Sequence, residues 1–552
     1  MKSAPSHNVL KRALGLFPVS ARIFQAMRPD VVPPGSFDIS RLGRELPKWC
    51  DAIQSIEPWL VESERKRVLI IASLKWWTEY GIALGLLLKA AGHSVDLAFL
   101  PYRDWTSPIS DFDALRGVHH TTRVFAGLGL PFGVHSLITE LRPGLDKDTE
   151  EQMRQQAFLD VQYTLQREEI DVEGNNQDRV LYRMRLTRNR RAAASVQMLL
   201  ADGNFDVVII PNGSILEFGA AYRVARKLGT DTVTYEFGEQ RERVWLAQNA
   251  EVMRQDTTDL WEAVKDIPLQ PEERSSIEKL FQARRGGQTW EQFRRQWQAG
   301  AGEGALLARQ KLGLDPDRPV VLLCTNVVAD SMALNRQVFT TGMAEWLSKT
   351  VALFGGLHDY QLIVRVHPGE MLGAGHPSVE IVKDALPHQP EHVIVVPPES
   401  EINTYDLIEL AQLGLVYTTT VGLEMCMHGL PVIVAGATHY KGKGFTDDPV
   451  TWGEYTEVLQ KRLAETQRAG LSEHEVNLAW RYAYRFFFDY PFEFPWHLLS
   501  FWDDLSQRPF ELVLEESRIQ RYRPALETLV GQPVDWRSKA LASRQAEGSL
   551  ER

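Results

Sequence analysis

The chain has 552 residues, 44% of them hydrophobic and 24% charged, which is long enough for two or three domains with separate cores and too apolar for a disordered protein. Its formal net charge of −11, from 61 basic and 72 acidic residues, lacks the basic footprint of a general nucleic-acid binder, so small molecules and glycans are the expected partners. Cys50, Cys324 and Cys426 stand far apart without CxxC or CxH spacing, which argues against a disulfide framework or zinc site and for a reducing, cytoplasmic setting.

Residues 1–60 are expected to form a helical extension. The first 29 carry Lys2, Lys11, Arg12, Arg22 and Arg28 and no acid, with Leu10, Leu14 and Phe17 spaced as one helical face. A helix docked on the body is the plainer reading, and peripheral contact with the inner face of a membrane through this basic segment is the alternative. Pro18 and Arg22 interrupt the apolar run that a signal peptide needs, and no apolar stretch approaches the ~20 residues that cross a bilayer.

Residues 61–265 read as a Rossmann-like domain. An apolar strand over 68–72, a helix over 81–91 stopped by Gly92 and a strand over 94–100 form a βαβ unit. Residues 107–178 mix loop and helix. A long helix over 180–200 presents Arg183, Arg185, Arg188, Arg190 and Arg191 on a face expected to be solvated. Strands over 207–211 and 230–236 flank a helix over 217–227. Residues 266–318 are a polar helical connection that ends in the Asp315-Pro316-Asp317 turn.

Residues 319–480 repeat the alternation, with strands over 320–324, 361–366, 393–396, 413–417 and 431–435. Residues 481–552 are an aromatic helical tail expected to pack back across both domains. The fold class is therefore α/β, with two doubly wound domains facing a cleft between N-terminal and C-terminal helical extensions.

Open parallel sheets bind ligands beyond the carboxyl ends of their strands, so those ends hold the candidate site. Arg365, His367 and Pro368 meet at one end and suit a phosphate, although a His-Pro turn that caps a loop fits the same residues. Thr418, Thr419 and Thr420 open a helix in which Gly422 allows close approach of a phosphate or ribose and Glu424 is able to accept from ribose hydroxyls; an ordinary N-terminal cap with a first-turn acid is the alternative. Tyr440, Lys441 and Lys443 lie in a glycine-spaced loop suited to closing on an anion or to simple solvation. In the first domain, Asn212 and Gly213 follow one strand, and Glu236 and Glu239 follow the next, forming the acceptor-side wall.

These runs, Arg365-Val366-His367-Pro368, 419–424, Gly429-Leu430-Pro431-Val432 and the loop 440–446, resemble the C-terminal half of capsular polysaccharide biosynthesis transferases, including bacterial Kdo transferases. More distantly they resemble sialyltransferases and polyol-phosphate polymerases with a His-Pro motif. The resemblance covers residues 200–490 and fits best over 365–446. It implies a GT-B transferase with no cofactor. Because the expected phosphate site is built from cations and helix amides, the transfer is expected to be metal-independent. The donor would be a CMP- or UDP-linked nucleotide sugar, and the acceptor a glycan or glycolipid.

By that resemblance His367 and Thr418 to Thr420 hold the donor phosphate and Glu424 the ribose. Glu236 and Glu239, which follow a first-domain strand, are the candidates for base or nucleophile. A sugar-nucleotide epimerase or hydrolase, or a non-catalytic assembly component, fits the same fold. Asp111-Phe112-Asp113, read as a loop, and the Gly127 to Gly133 run are weak metal and dinucleotide signals. Trp76-Trp77 and the Phe486 to Phe488 cluster are able to stack on sugars, with core packing the commoner use.

Overall fold

Runs rich in Val, Ile and Leu, buried on both faces as central parallel strands require, form the middle of two sheets. The computed structural model describes residues 11, 14–15, 17–107, 109–138, 144–238, 240–285, 302–372, 377–465 and 470–550. The first sheet holds β1 (Arg67–Ser73), β2 (Ser94–Leu100), β3 (Gly133–Ser136), β4 (Val207–Pro211) and β5 (Asp231–Glu236) in the parallel order β3-β2-β1-β4-β5. Antiparallel β6 (Arg243–Gln248) extends it.

The second sheet holds β7 (Val320–Cys324), β8 (Gln361–Arg365), β9 (Val393–Val396), β10 (Leu413–Val416) and β11 (Val432–Val434) in the order β9-β8-β7-β10-β11. Both sheets therefore reverse strand order at the same point, between β1 and β4 and between β7 and β10. A doubly wound sheet forms its binding crevice at that reversal. The expected pair of doubly wound domains facing a cleft is present.

The tail joins the two cores. Residues 482–490 pack in the second hydrophobic core, whereas β12 (Phe492–Glu493) pairs antiparallel with β6 and Phe494, Trp496, Phe501 and Phe510 enter the first. In the stretch expected to connect the domains, the helix Pro271–Arg285 buries Ile277 and Leu280 against the second core, beside Leu260 and Trp261. Among the described residues, no helix is long and apolar enough to cross a membrane.

Two local readings are corrected. The basic face of the long helix, which runs over Asn176–Gly203, is not solvated throughout. Arg185 and Arg188 are buried, with Arg185 paired to Asp160 at 3.3 Å and Glu217 at 3.0 Å, because two neighbouring helices bring carboxylates onto that face. Asp111 and Asp113 do not lie in a loop. They open the helix Asp111–Leu128, capped by Ser110, where acids suit the positive end of the helix. Asp113 pairs with Lys11 and Arg116, and Asp111 with Arg191.

The N-terminal helix Pro18–Met27 docks on Asp111–Leu128 through Ala21, Phe24 and Gln25, with Phe24 edge-on to Phe112. Its outward face is apolar as well: Val19, Ile23 and Met27 are 61%, 55% and 70% exposed, beside exposed Arg22.

Candidate functional site

A cleft of about 380 Å³ opens between the carboxyl ends of the two sheets. The first domain contributes Glu236, Phe237, Gly238, Arg243 and Trp245 to its walls, and the second contributes Asn326, Asp330, His367 and Thr418 to Thr420. The connecting helix and the tail supply Arg284, Phe486, Phe487, His497 and Leu498.

On the second-domain side, the loops after β7 and β10 are tied across the switch point. Asn326 Oδ1 accepts from the Thr418 N–H at 3.1 Å, and the Thr418 hydroxyl donates to the Met332 carbonyl at 3.0 Å. His367 follows β8. Its backbone N–H donates to Thr325 Oγ1, and its Nδ1 accepts from the Gly369 N–H at 3.0 Å, which leaves the ring proton on Nε2. Thr420 caps the helix Val421–Met427 without a side-chain bond to it. Arg284 reaches the cleft from the end of Pro271–Arg285 and is ion-paired with Glu424 at 2.5 Å.

On the first-domain side, Glu236 ends β5. Asn212, in left-handed backbone with φ 57, donates from Nδ2 to Glu236 Oε2 at 3.1 Å, and the Phe237 N–H donates to Oε1 at 3.1 Å. Burial pushes the Glu236 carboxyl up to about 7; the hydrogen bonds from Asn212 and Phe237 oppose this, and Asp330 across the cleft adds to it. Asp330 is itself raised by burial, against a hydrogen bond from the Ser331 N–H. Two carboxyls, one from each domain, thus share the cleft with Arg284 and His367.

Of the residues singled out in the sequence, Glu236, His367, Thr418, Thr419 and Thr420 line this cleft. Glu239 lies outside the described residues. Arg365 is buried and turned away, donating to the Pro397 carbonyl at 2.7 Å and to Thr404 Oγ1, so its guanidinium anchors the loop after β9. Glu424 is 1% exposed and reaches the cleft through Arg284.

Gly422 serves packing: a Cβ there would meet the Tyr440 hydroxyl at 2.3 Å. Tyr440 is buried, and its hydroxyl donates to the Thr419 carbonyl at 2.7 Å, tying the glycine loop to the threonine run. Lys441 donates to the Pro449 carbonyl, and neither it nor Lys443 lines the cleft; burial lowers both ammonium groups. Asn212 sits behind Glu236, and Gly213 at φ +84 leaves a Cβ no room beside Thr234.

Several cleft residues escaped the sequence. Asn326 and Asp330 follow β7, so the strand-end rule that found His367 also points to them. Arg284 and His497 carry no such signal, since one comes from the connection and the other from the tail. His497 is held neutral by burial, with its ring pushed down to about 4, and its Nε2 lies 3.2 Å from the Gly238 carbonyl. Trp245 and Phe486, with ring centroids 6.4 Å apart, form an aromatic wall.

Among solved structures, the chain is similar to the KpsC β-Kdo 2,4 transferase of Thermosulfurimonas dismutans at 17% identity, over 50% of this chain and 79% of that one, with a TM-score of 0.31. It is similar to the UDP-GlcNAc 2-epimerase of Neisseria meningitidis at 11% identity, over 76% and 99%, with a TM-score of 0.23. The UDP-GlcNAc 2-epimerase of Methanocaldococcus jannaschii matches at 11% identity over 75% and 98%, with a TM-score of 0.27. At such TM-scores these likenesses carry no argument about the activity of this chain. No curated protein matches its sequence. Residues 353–479, which hold β8 to β11, His367 and the threonine run, match the family model described as capsule polysaccharide biosynthesis protein, and over that segment the chain resembles this family.

Proposed function

We propose that the protein is a glycosyltransferase that moves a sugar from a nucleotide-activated donor, CMP- or UDP-linked, to a glycan or glycolipid acceptor in capsule or surface polysaccharide biosynthesis. One observation carries this reading: a single interdomain cleft holds Glu236 on one wall and Arg284, His367 and three threonines on the other. The family match over residues 353–479 supports the same class.

In this reading the donor phosphate lies against Arg284, the Nε2–H of His367 and the hydroxyls of Thr419 and Thr420, whose donors neutralise charge as the sugar–phosphate bond breaks. The aromatic wall of Trp245 and Phe486 gives a base or sugar ring an apolar face. The acceptor hydroxyl attacks the anomeric carbon, its proton passes to Glu236, and the nucleotide leaves with the bonding electron pair. A carboxyl near 7 suits this task, because its ionised form is populated at neutrality while its basicity stays high. Neutralisation by protein cations makes the proposed transfer metal-independent; activity that disappears in excess EDTA and returns with Mg²⁺ or Mn²⁺ would refute that part.

The test of the whole reading is a thermal-shift series with CMP, CDP, UDP and GDP, followed by transfer assays with the matching nucleotide sugars. A ligand that binds the native state raises its melting point by mass action. If no nucleotide shifts the transition and no sugar is transferred or released, the reading fails. We also infer a cytoplasmic setting with peripheral attachment to the inner membrane face, from the apolar outward stripe of Pro18–Met27 beside Arg22 and Arg28 and from an acid-free first 29 residues.

A further inference from the structure

A second groove, of about 460 Å³, runs along the seam between the domains. The first domain lines it with Gln155, Phe158, Arg223, Glu251 and Arg254, and the second with Asn335. A small recess continues inward from it to Ser214, Ser331, Met253 and Arg336. Met253 also lines the cleft, so it forms the partition between the two spaces.

The charges in this groove do not balance. Two guanidiniums, those of Arg223 and Arg254, face one carboxylate in the groove, Glu251, which is paired with Arg254 at 3.3 Å, and Arg336 adds a third guanidinium in the recess. Arg223 donates to Gln156 Oε1 at 2.9 Å, and Arg336 donates to the Met253 carbonyl. Among the described residues, no carboxylate pairs with either. Arg336 is only 8% exposed, and the carboxylate that offsets its charge, Glu251, is shared with Arg254, so withdrawing this guanidinium from water is costly. Burial and, next, the nearby Arg254 push its acidity up, with its pKa lowered to about 10.

A clamp on the Met253 carbonyl accounts for one donor of Arg336. It does not explain why the first domain brings two more arginines to the same seam. Guanidiniums present forked donors matched to carboxylate and phosphate oxygens.

We propose that this seam groove is a binding site for an anionic group, a carboxylate or phosphate carried by a glycan or its carrier, held by Arg254 and Arg336 with Arg223 at the rim. The site is separate from the cleft, and anion binding here stands whether or not the cleft transfers sugar. Because its arginines come from both domains, a bound anion would hold the domains together across the seam.

The test is calorimetry on the full chain with inorganic pyrophosphate, tri-galacturonate and neutral maltotriose. It is run on the wild type, on Arg254→Gln and Arg223→Gln, whose side chains reach solvent, and on Arg336→Lys, which keeps the buried charge. Binding of at least one anion, none of maltotriose, and a loss of about tenfold or more in affinity in Arg254→Gln supports the site. Binding of pyrophosphate alone identifies a phosphate as the ligand, binding of tri-galacturonate alone identifies an acidic sugar, and binding of both shows a general anion site. Absence of binding by either anion overturns the proposal, and so does binding that is equal in the wild type and all three variants. Thermal shifts by nucleotides, read in parallel on the same variants, keep failure at the seam distinct from failure at the cleft.

Discussion

Glu236→Gln separates the chemistry of the cleft from its stability. In the folded chain the carboxyl keeps its proton from its ordinary value of 4.5 up to about 7, mainly because the half-buried cleft wall desolvates it. The unfolded chain loses that proton near 4.5, so between these limits the native state binds more protons and its stability falls as pH rises. At about 1.4 kcal/mol per pH unit, the loss accumulates to about 3 kcal/mol by neutrality. Glutamine does not titrate, so the variant should escape this loss. A constant offset from the new amide beside Asn212 and the Phe237 N–H applies at every pH and drops out of the comparison.

The expected result is a melting temperature for Glu236→Gln that gains on the wild type between pH 5 and pH 8, while turnover falls by about a hundred- to ten-thousand-fold. Nucleotide affinity should not fall. In the wild type, kcat/KM should rise with pH through about 7, and the variant should lose that limb. Calorimetric scans at several pH values and initial rates on the same preparations read both effects. A melting-temperature difference independent of pH, or near-normal turnover in the variant, would refute the reasoning.

Glu424→Ala should lower the melting temperature, because it removes the carboxylate from an ion pair that is 1% and 7% exposed, at a cost of up to about 3 to 5 kcal/mol, and it should weaken nucleotide binding through the displaced arginine. His367→Ala, on the cleft wall, should weaken nucleotide binding in calorimetry and leave the melting temperature nearly unchanged; unaltered affinity would remove His367 from the donor site. Gly422→Ala should cost about 1 to 3 kcal/mol in denaturant unfolding, since its methyl would collide with Tyr440. Ile23→Ser combined with Met27→Ser should weaken flotation with phosphatidylglycerol vesicles by about tenfold or more and leave turnover on soluble acceptors intact; equal flotation would refute the membrane surface.

The sheets were legible because strands buried on both faces read as unbroken apolar runs, as over 68–72, 207–211 and 320–324. β6 escaped because Arg243–Gln248 is an antiparallel strand of mixed polarity, and β12 because two residues make no pattern. His367 and Thr418 to Thr420 could be found because the switch-point rule depends on chain order alone. Side-chain direction could not. Arg365 and His367 stand two residues apart, yet one turns to the Pro397 carbonyl and the other to the cleft. The aim of Glu424 was equally hidden, because its partner Arg284 lies in a helix of the connection, a segment with no pattern tying it to residue 424. Tertiary pairing likewise turned an arginine face that looked solvated into the buried network around Arg185.

The placement of the two carboxyls in separate domains bears on how the proposed transfer proceeds. Glu236 is held near 7 by burial and, in smaller part, by Asp330 facing it from the other domain, so its proton affinity depends on how closely the domains approach. As the sugar leaves, the donor phosphate gains negative charge in the same cleft, and a nearby negative charge raises the proton affinity of a carboxylate. Glu236 therefore becomes a stronger base at the moment the acceptor hydroxyl must give up its proton. Arg284 and the Nε2–H of His367 act in the opposite sense, stabilising the phosphate and tempering the rise. Removing His367 should then lower turnover by weakening leaving-group stabilisation and move the acid limb of the pH profile upward. An unmoved limb in His367→Ala would show that the phosphate and Glu236 do not sense each other across the cleft.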